Sequence, residues 1–280
     1  MKLACMSNGP RSVIAVFADG KWYDTGETQM ARVLLEGTRR VGQVLDSDRE
    51  LTSDYYFTVP MLPHRNVMCL GKNFSEHAEE FAKFNDDAEV VPSAPIVFTK
   101  AVSALCGPYD DIRVDHDLAR ALDYETELAV VIGKPGWRIS AAEAAKHVAG
   151  YSIINDLTAR DLQSVHAQWF LGKSLPHASP IGPVVVTPDE LEPRESRMLS
   201  TLVNGELRQK AQLSGMIVGV EQAIEAISRV VALEAGDIIA MGTPAGVAVS
   251  FDPPRYLRNG DVVISEIEGI GRLENRIVII

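Results

Sequence analysis

The chain has 280 residues, with 27 Lys and Arg against 38 Asp and Glu, for a formal net charge of −11 at pH 7. Hydrophobic residues make up 46% of it, enough for a chain of this length to bury a core without disulfide or metal staples and too much for intrinsic disorder. The acidic balance excludes wrapping of a polyanion, because nucleic-acid affinity rests on Lys and Arg meeting phosphate.

The three cysteines, Cys5, Cys69 and Cys106, show no paired spacing and no CxxC. That pattern is neither a disulfide framework nor a thiolate zinc site, and it fits free thiols in a reducing cytoplasm. Ser7, Asn8, Gly9 and Pro10 interrupt the N-terminal apolar run, so no signal-peptide core is expected. No stretch approaches the ~20 apolar residues of a membrane helix, so no membrane partner is expected.

In chain order, residues 12–26 predict a hairpin turning at Asp19-Gly20, and a short helix follows near Met30 to Glu36. Val59 to Pro63, bounded by prolines, reads as a linker. Residues 1–62 are therefore expected to form a small N-terminal β region, and residues 63–280 one larger domain. In the latter, NVMCLG and PIVFTK predict short strands, and FSEHAEEFAKF between them a helix. TELAVVIGK predicts a strand buried on both faces. SAAEAAKHVAG predicts a helix capped by Ser140 with Glu143 and stopped at Gly150. GYSIIND predicts a strand, GVEQAIEAISRVVAL a helix closed by Gly236, and the last 45 residues are strand-rich. Strands without a regular βαβ rhythm give an α+β class rather than a doubly wound or barrel fold.

Glu125 and Glu127 stand two residues apart at the start of an apolar run, so a strand would point both to one face. Asp156 closes the next predicted strand, where parallel neighbours would gather side chains at their ends. Two carboxylates on one face repel unless a cation lies between them or one is protonated. Three carboxylates without His or Cys suit a hard cation, Mg²⁺ with Mn²⁺ or Ca²⁺ as alternatives. The competing reading is two solvated glutamates on an edge strand and an aspartate capping the helix LTARDLQ.

His77 and Glu80 lie three apart on a predicted helix and share a face. A carboxylate that orients an imidazole makes it a general base; the alternative is a surface helix with acidic neighbours. His147, inside a predicted helix, reads as structural. Lys173, in the Gly/Pro-bounded WFLGKSLPHASPIGP, is placed either to hold an oxyanion or to snorkel to water. Gly242-Thr243-Pro244-Ala245-Gly246 follows a buried run and can present backbone N–H groups to an anion.

Taken in order, GKNFSEHAEEF, PIVFTK, DYETELAVVIGK, GYSIINDLTARDLQ, WFLGKSLPHASPIGP, GDIIAMGTPAGV and GDVVISEIEGIGRLENRIV resemble the fumarylacetoacetate hydrolase family, from about Asn66 to Val278. The resemblance implies a mixed β-sandwich roll with few helices, a homodimer, and a divalent metal on Glu125, Glu127 and Asp156. It implies that His77 and Glu80 form a catalytic pair on a lid helix and that Lys173 steadies a developing oxyanion. Arg160, Gln163, Thr243 and Lys100 match substrate-facing positions, while Ala101 replaces a common proline and Phe74 a frequent tyrosine. The implied activity is metal-dependent hydrolysis of a carbon–carbon bond in an acylpyruvate-like 2,4-dioxo acid by His-Glu-activated water. The alternatives are decarboxylation or isomerisation of 2-oxo or 2-hydroxy-dienoic acids through a metal-bound enolate, and a non-enzymatic metal-stabilised binding protein.

Overall fold

Runs of β-branched and apolar residues, broken by Gly, Asp and Pro, set the strands. The computed structural model describes residues 1–36, 49–78, 80, 93–118 and 120–280. The chain begins with β1 (Lys2–Ser7), β2 (Ser12–Ala18), β3 (Lys21–Asp24), helix α1 (Met30–Glu36) and β4 (Tyr56–Phe57). Next come β5 (Val67–Gly71), β6 (Ile96–Lys100), β7 (Leu105–Cys106), β8 (Ile112–Val114), β9 (Leu122–Asp123) and β10 (Thr126–Ile132). The short α2 (Ala141–Ala144) precedes β11 (Val148–Asn155), β12 (Thr158–Ala159), α3 (Arg160–Val165) and β13 (Ser179–Val186). After α4 (Pro188–Leu191) the chain forms β14 (Met198–Val203), β15 (Glu206–Gln212), α5 (Val220–Ser228), β16 (Ile238–Ala240), β17 (Val262–Ile267) and β18 (Gly271–Ile279).

An 11-stranded sheet runs β3-β2-β1-β13-β11-β10-β16-β5-β6, with β4 beside β1 and β7 beside β13, and a 5-stranded sheet runs β15-β14-β17-β18-β8. Parallel pairs such as β16–β5 sit among antiparallel ones. This is the α+β arrangement of mixed sheets with few helices. The predicted hairpin turns at Asp19 (φ 49°) and Gly20 (φ 79°), both left-handed as its two-residue turn requires. Lys2 pairs with Val186 and Leu3 with Val185, so the N-terminal strands extend the large sheet.

β10 shows why both faces are apolar. Leu128, Val130 and Ile132 join Tyr151, Leu199, Ile267 and Leu273 in the core towards the second sheet. Ala129 and Val131 pack the opposite way, with Ile154, Cys69, and Met30 and Val33 of α1. Glu127 has the parity of Ala129 and Val131, so the strand aims it at that second face.

Three expectations are corrected. β10 and β11 are antiparallel, pairing Thr126 with Asn155, not parallel neighbours. The helix after Ser140 ends by His147, and Gly150 lies inside β11. Gly150 serves packing there, since a Cβ would lie 2.7 Å from both Val186 O and Val185 Cγ1. Helix α5 stops at Ser228; Gly236, at φ 92°, closes the separate turn in which Asp237 N–H donates to Glu234 O. Of the predicted helix over residues 74–84, residues 79 and 81–84 lie outside the described residues; 75–78 and 80 are helical.

Candidate metal centre and active site

The antiparallel pairing brings the start of β10 to the end of β11. Asp156 N–H donates to Glu125 O at 2.8 Å, and Glu125 N–H to Asn155 Oδ1 at 2.9 Å. Glu127 follows two residues along. One carboxylate oxygen from each of Glu125, Glu127 and Asp156 lies within 4.8 Å of the others, and all three residues are buried. They are not solvated edge glutamates, because β10 is flanked by β11 and β16. Nor does Asp156 cap a helix: α3 begins at Arg160 with Ala159 as its N-cap.

Cations surround this cluster. Lys173 Nζ donates to Glu125 Oε2 and, at 2.6 Å, to Asp156 Oδ2. Arg160 donates from Nη2 to Glu125 Oε1 at 2.6 Å, from Nε to Asp123 Oδ2 at 2.8 Å and from Nη1 to Gln163 Oε1 at 2.9 Å. Burial alone would raise the Glu125 pKa, but Arg160 and Lys173 outweigh it and hold the carboxyl well below its usual range. Glu127 goes the other way: burial, then Asp156 and Glu125, push it well above the usual value. Burial disfavours the Lys173 ammonium, yet Asp156 and Glu125 keep its pKa raised, so it acts as a fixed cation.

The donor set fits a hard divalent ion on its own terms. All three ligating groups are oxygens. Among the described residues, the Glu127 side chain accepts one hydrogen bond, from Gly242 N–H at 2.7 Å. Asp156 Oδ1 is buried without an aligned hydrogen bond, although Lys100 Nζ lies 2.8 Å away, so that contact is an ion pair of poor donor direction. Lone pairs that protein donors leave unsatisfied, on carboxylates that repel, are what a cation would take.

A narrow cleft opens onto the centre, lined by His77, Glu125, Glu127, Arg160, Gln163, Lys173 and Thr243 among others. His77 Nδ1 lies 3.9 Å from Glu80 Oε2, and must close by about 1 Å to make a hydrogen bond. Gly246 N–H donates to Glu80 Oε2 at 3.0 Å. Burial would raise the Glu80 pKa, but the His77 and Gly246 contacts hold it below its ordinary value. The GTPAG segment therefore presents its amides to protein carboxylates, Gly242 to Glu127 and Gly246 to Glu80. Thr243 Oγ1 donates to Thr126 O at 2.9 Å and accepts from Gln209 Nε2 at 2.8 Å.

Lys100 departs from its expected place. It is fully buried and does not line the cleft. Its ammonium donates to Leu157 O at 3.1 Å, Ser179 Oγ at 2.6 Å and Lys173 O, and lies 2.8 Å from Asp156 Oδ1. A substrate contact is thus replaced by support of Asp156 and the Lys173 backbone. His147 is structural as read, its Nδ1 2.8 Å from Lys134 O.

Several contributors escaped the sequence reading. Asp123 is fully buried and accepts from Arg160 and from Ala248 and Val249 N–H; its two-residue step before Glu125 was an available signal. Asn155 and Gln209 work across distant strands, which no local pattern reveals. Lys72, Phe98 and Trp169 also line the cleft, and Lys72 holds a left-handed φ of 54°, a cost that persists where surrounding structure demands it.

The chain resembles known proteins over most of its length. The family model described as fumarylacetoacetate (FAA) hydrolase C-terminal matches residues 66–278. Oxaloacetate tautomerase YisK of Bacillus subtilis (strain 168) is 42% identical over 277 residues, 99% of this chain and 89% of that protein. The solved fumarylacetoacetate hydrolase from psychrophilic Exiguobacterium antarcticum superposes with TM-score 0.89 at 42% identity, covering 100% of both chains. That of 5-carboxymethyl-2-hydroxymuconate delta-isomerase from Mycobacterium smegmatis gives 0.80 at 30% identity, covering 100% of this chain and 99% of the other. With its fold and most of its length matched, the chain belongs to the fumarylacetoacetate hydrolase family.

Proposed function

We propose that this protein is a metal-dependent tautomerase of a small 2-oxo acid, interconverting keto and enol forms, with oxaloacetate as the first substrate to test. The observation that carries the reading is the shared cleft: three oxygen ligands for a cation and an imidazole backed by a carboxylate line or border one small space. The relative named oxaloacetate tautomerase, at 42% identity over nearly the whole chain, favours isomerisation over bond cleavage.

Glu125, Glu127 and Asp156 would hold Mg²⁺, which when bound supplies Lewis-acid polarisation of the 2-oxo acid end. The protein's own groups handle the proton. His77 takes the proton from C3 and delivers it to the C2 oxygen to give the enol, the same transfer running backwards from enol to keto, while Glu80, tied to Gly246 N–H, orients the imidazole. General-base help of this kind is worth roughly 10²–10⁴-fold. Lys173, kept protonated by Asp156 and Glu125, offsets charge on the enolate oxygen rather than titrating. Arg160 holds Glu125 and Gln163 in place for the substrate.

A second reading keeps the same residues but has His77 deprotonate water, which cleaves an acylpyruvate. The solved relative titled fumarylacetoacetate hydrolase supports it. Product mass separates the two. Oxaloacetate and acetylpyruvate are each incubated with protein and Mg²⁺, following enol absorbance and product mass. Faster equilibration at unchanged mass is the expected result. Two acids from acetylpyruvate without tautomerisation would replace it with the hydrolase, and CO₂ release with a decarboxylase. The proposal includes a cytoplasmic homodimer, the dimer being testable by light scattering.

A further inference from the structure

The cleft has an apolar side that the proton chemistry does not use. Trp169 and Phe98, both half-buried, line it together with Leu70 and Gly71. Their rings meet edge-on, with centroids 5.2 Å apart and planes at 70°, a favoured aromatic geometry. Gly71 is what admits the indole: a Cβ there would lie 2.6 Å from Trp169 Cζ3 and 3.1 Å from Cη2. Phe98 also lies under Lys173 Nζ, 5.1 Å from the ring centroid. Since Lys173 grips Glu125 and Asp156, the aromatic wall directly adjoins the carboxylate centre.

We propose that Trp169, seated on Gly71 and braced by Phe98, is a specificity-determining residue that closes the cleft against 2-oxo acids carrying a bulky group beyond C3. This deepens the functional reading and rests on the cleft being the substrate site. An acid anchored by its 2-oxo end at the carboxylate centre has to extend past Phe98 and Trp169 on that side. Indole bulk there penalises large substituents and leaves small ones a close-fitting apolar surface.

The test uses Trp169→Ala and the conservative Trp169→Phe in the full chain with Mg²⁺. Acetylpyruvate serves as the small substrate and benzoylpyruvate as the bulky one. The readout is the ratio of kcat/KM for bulky over small. Calorimetric binding of benzoylpyruvate and oxalate is measured alongside, oxalate being too short to reach the wall. Trp169→Ala is expected to raise the ratio by roughly 10–100-fold, the scale of discrimination available to an apolar pocket, mostly through KM. Trp169→Phe should raise it less, and benzoylpyruvate affinity should improve relative to oxalate in the same order. An unchanged ratio in a folded variant, or equal loss on both substrates, overturns the proposal; the latter would make Trp169 purely structural. If Trp169→Ala does not fold, an unchanged ratio in Trp169→Phe overturns it. If wild-type protein turns over neither substrate yet binds both ligands, the tautomerase reading fails while relative affinities still decide the role of the wall. If oxalate does not bind with Mg²⁺, both fall together.

Discussion

Lys100→Met separates support of the centre from contact with substrate. The Lys100 ammonium is completely buried, 2.8 Å from Asp156 Oδ1, and donates to Leu157 O, Ser179 Oγ and Lys173 O. Methionine keeps most of the volume and removes the charge. Asp156 then loses one of its two cations, and two buried carbonyls lose a donor. Breaking a buried ion pair by deleting one partner costs about 3–5 kcal/mol. With an unfolding entropy of about 2.1 cal/mol/K per residue, a 280-residue chain should lose roughly 5–9 °C in Tm. Calorimetry and chemical denaturation measure this directly. A Tm within 1 °C of wild type, with KM raised for the small substrate, would refute the supporting role and restore the substrate contact.

Three further outcomes are expected. His77→Ala should still show Mg²⁺-dependent binding of oxalate by calorimetry while losing roughly 10²–10⁴-fold in kcat; full activity would remove His77 from the chemistry. Burial, Asp156 and Glu125 raise the pKa of Glu127, so in acid it holds a proton that Mg²⁺ must displace. Mg²⁺ affinity should therefore rise with pH through that raised pKa, with proton uptake by the buffer seen in titrations in buffers of different ionisation enthalpy, and Glu127→Gln should abolish both the proton release and the Mg²⁺ thermal shift. Burial keeps the Cys69 thiol well above its ordinary pKa and pushes Cys106 up to about 12, so neither should react with a thiol reagent in the native protein at neutral pH, whereas both should react in denaturant.

The parts legible in the sequence are those written in local periodicity. Seven consecutive buried residues marked β10, Asp19-Gly20 marked the first hairpin, and a two-residue step marked Glu125 and Glu127 as neighbours on one face. What was not legible depends on partners far along the chain. Periodicity carries no strand direction, and the helix-containing connection from β10 to β11 is long enough for a parallel crossover, yet it turns β11 back against β10. Gly150 reads as a helix stop, but its reason is the Val186 carbonyl across the sheet. Lys100 and Trp169 acquire their places only when β6, Ser179 and Gly71 are packed around them. A buried lysine and a substrate-facing lysine have the same letter, and only burial tells them apart.

That distinction changes how charge at the centre has to be counted. The protein carries −11 overall, which disfavours approach of an anionic substrate. From sequence, Lys100, Lys173 and Arg160 could be assigned to reverse that sign locally. In the structure all three are bonded to protein carboxylates: Lys100 and Lys173 to Asp156, Lys173 and Arg160 to Glu125, Arg160 to Asp123. Within the set formed by Lys100, Lys173, Arg160 and their carboxylates, four buried carboxylates, with Glu127 the fourth, therefore face three cations and leave one negative charge when all are ionised. The raised pKa of Glu127 is where that excess shows. A divalent ion would turn the remainder into one positive charge, which the lysines and arginine alone do not supply. Metal and substrate acid should consequently bind with positive cooperativity, each tighter in the presence of the other.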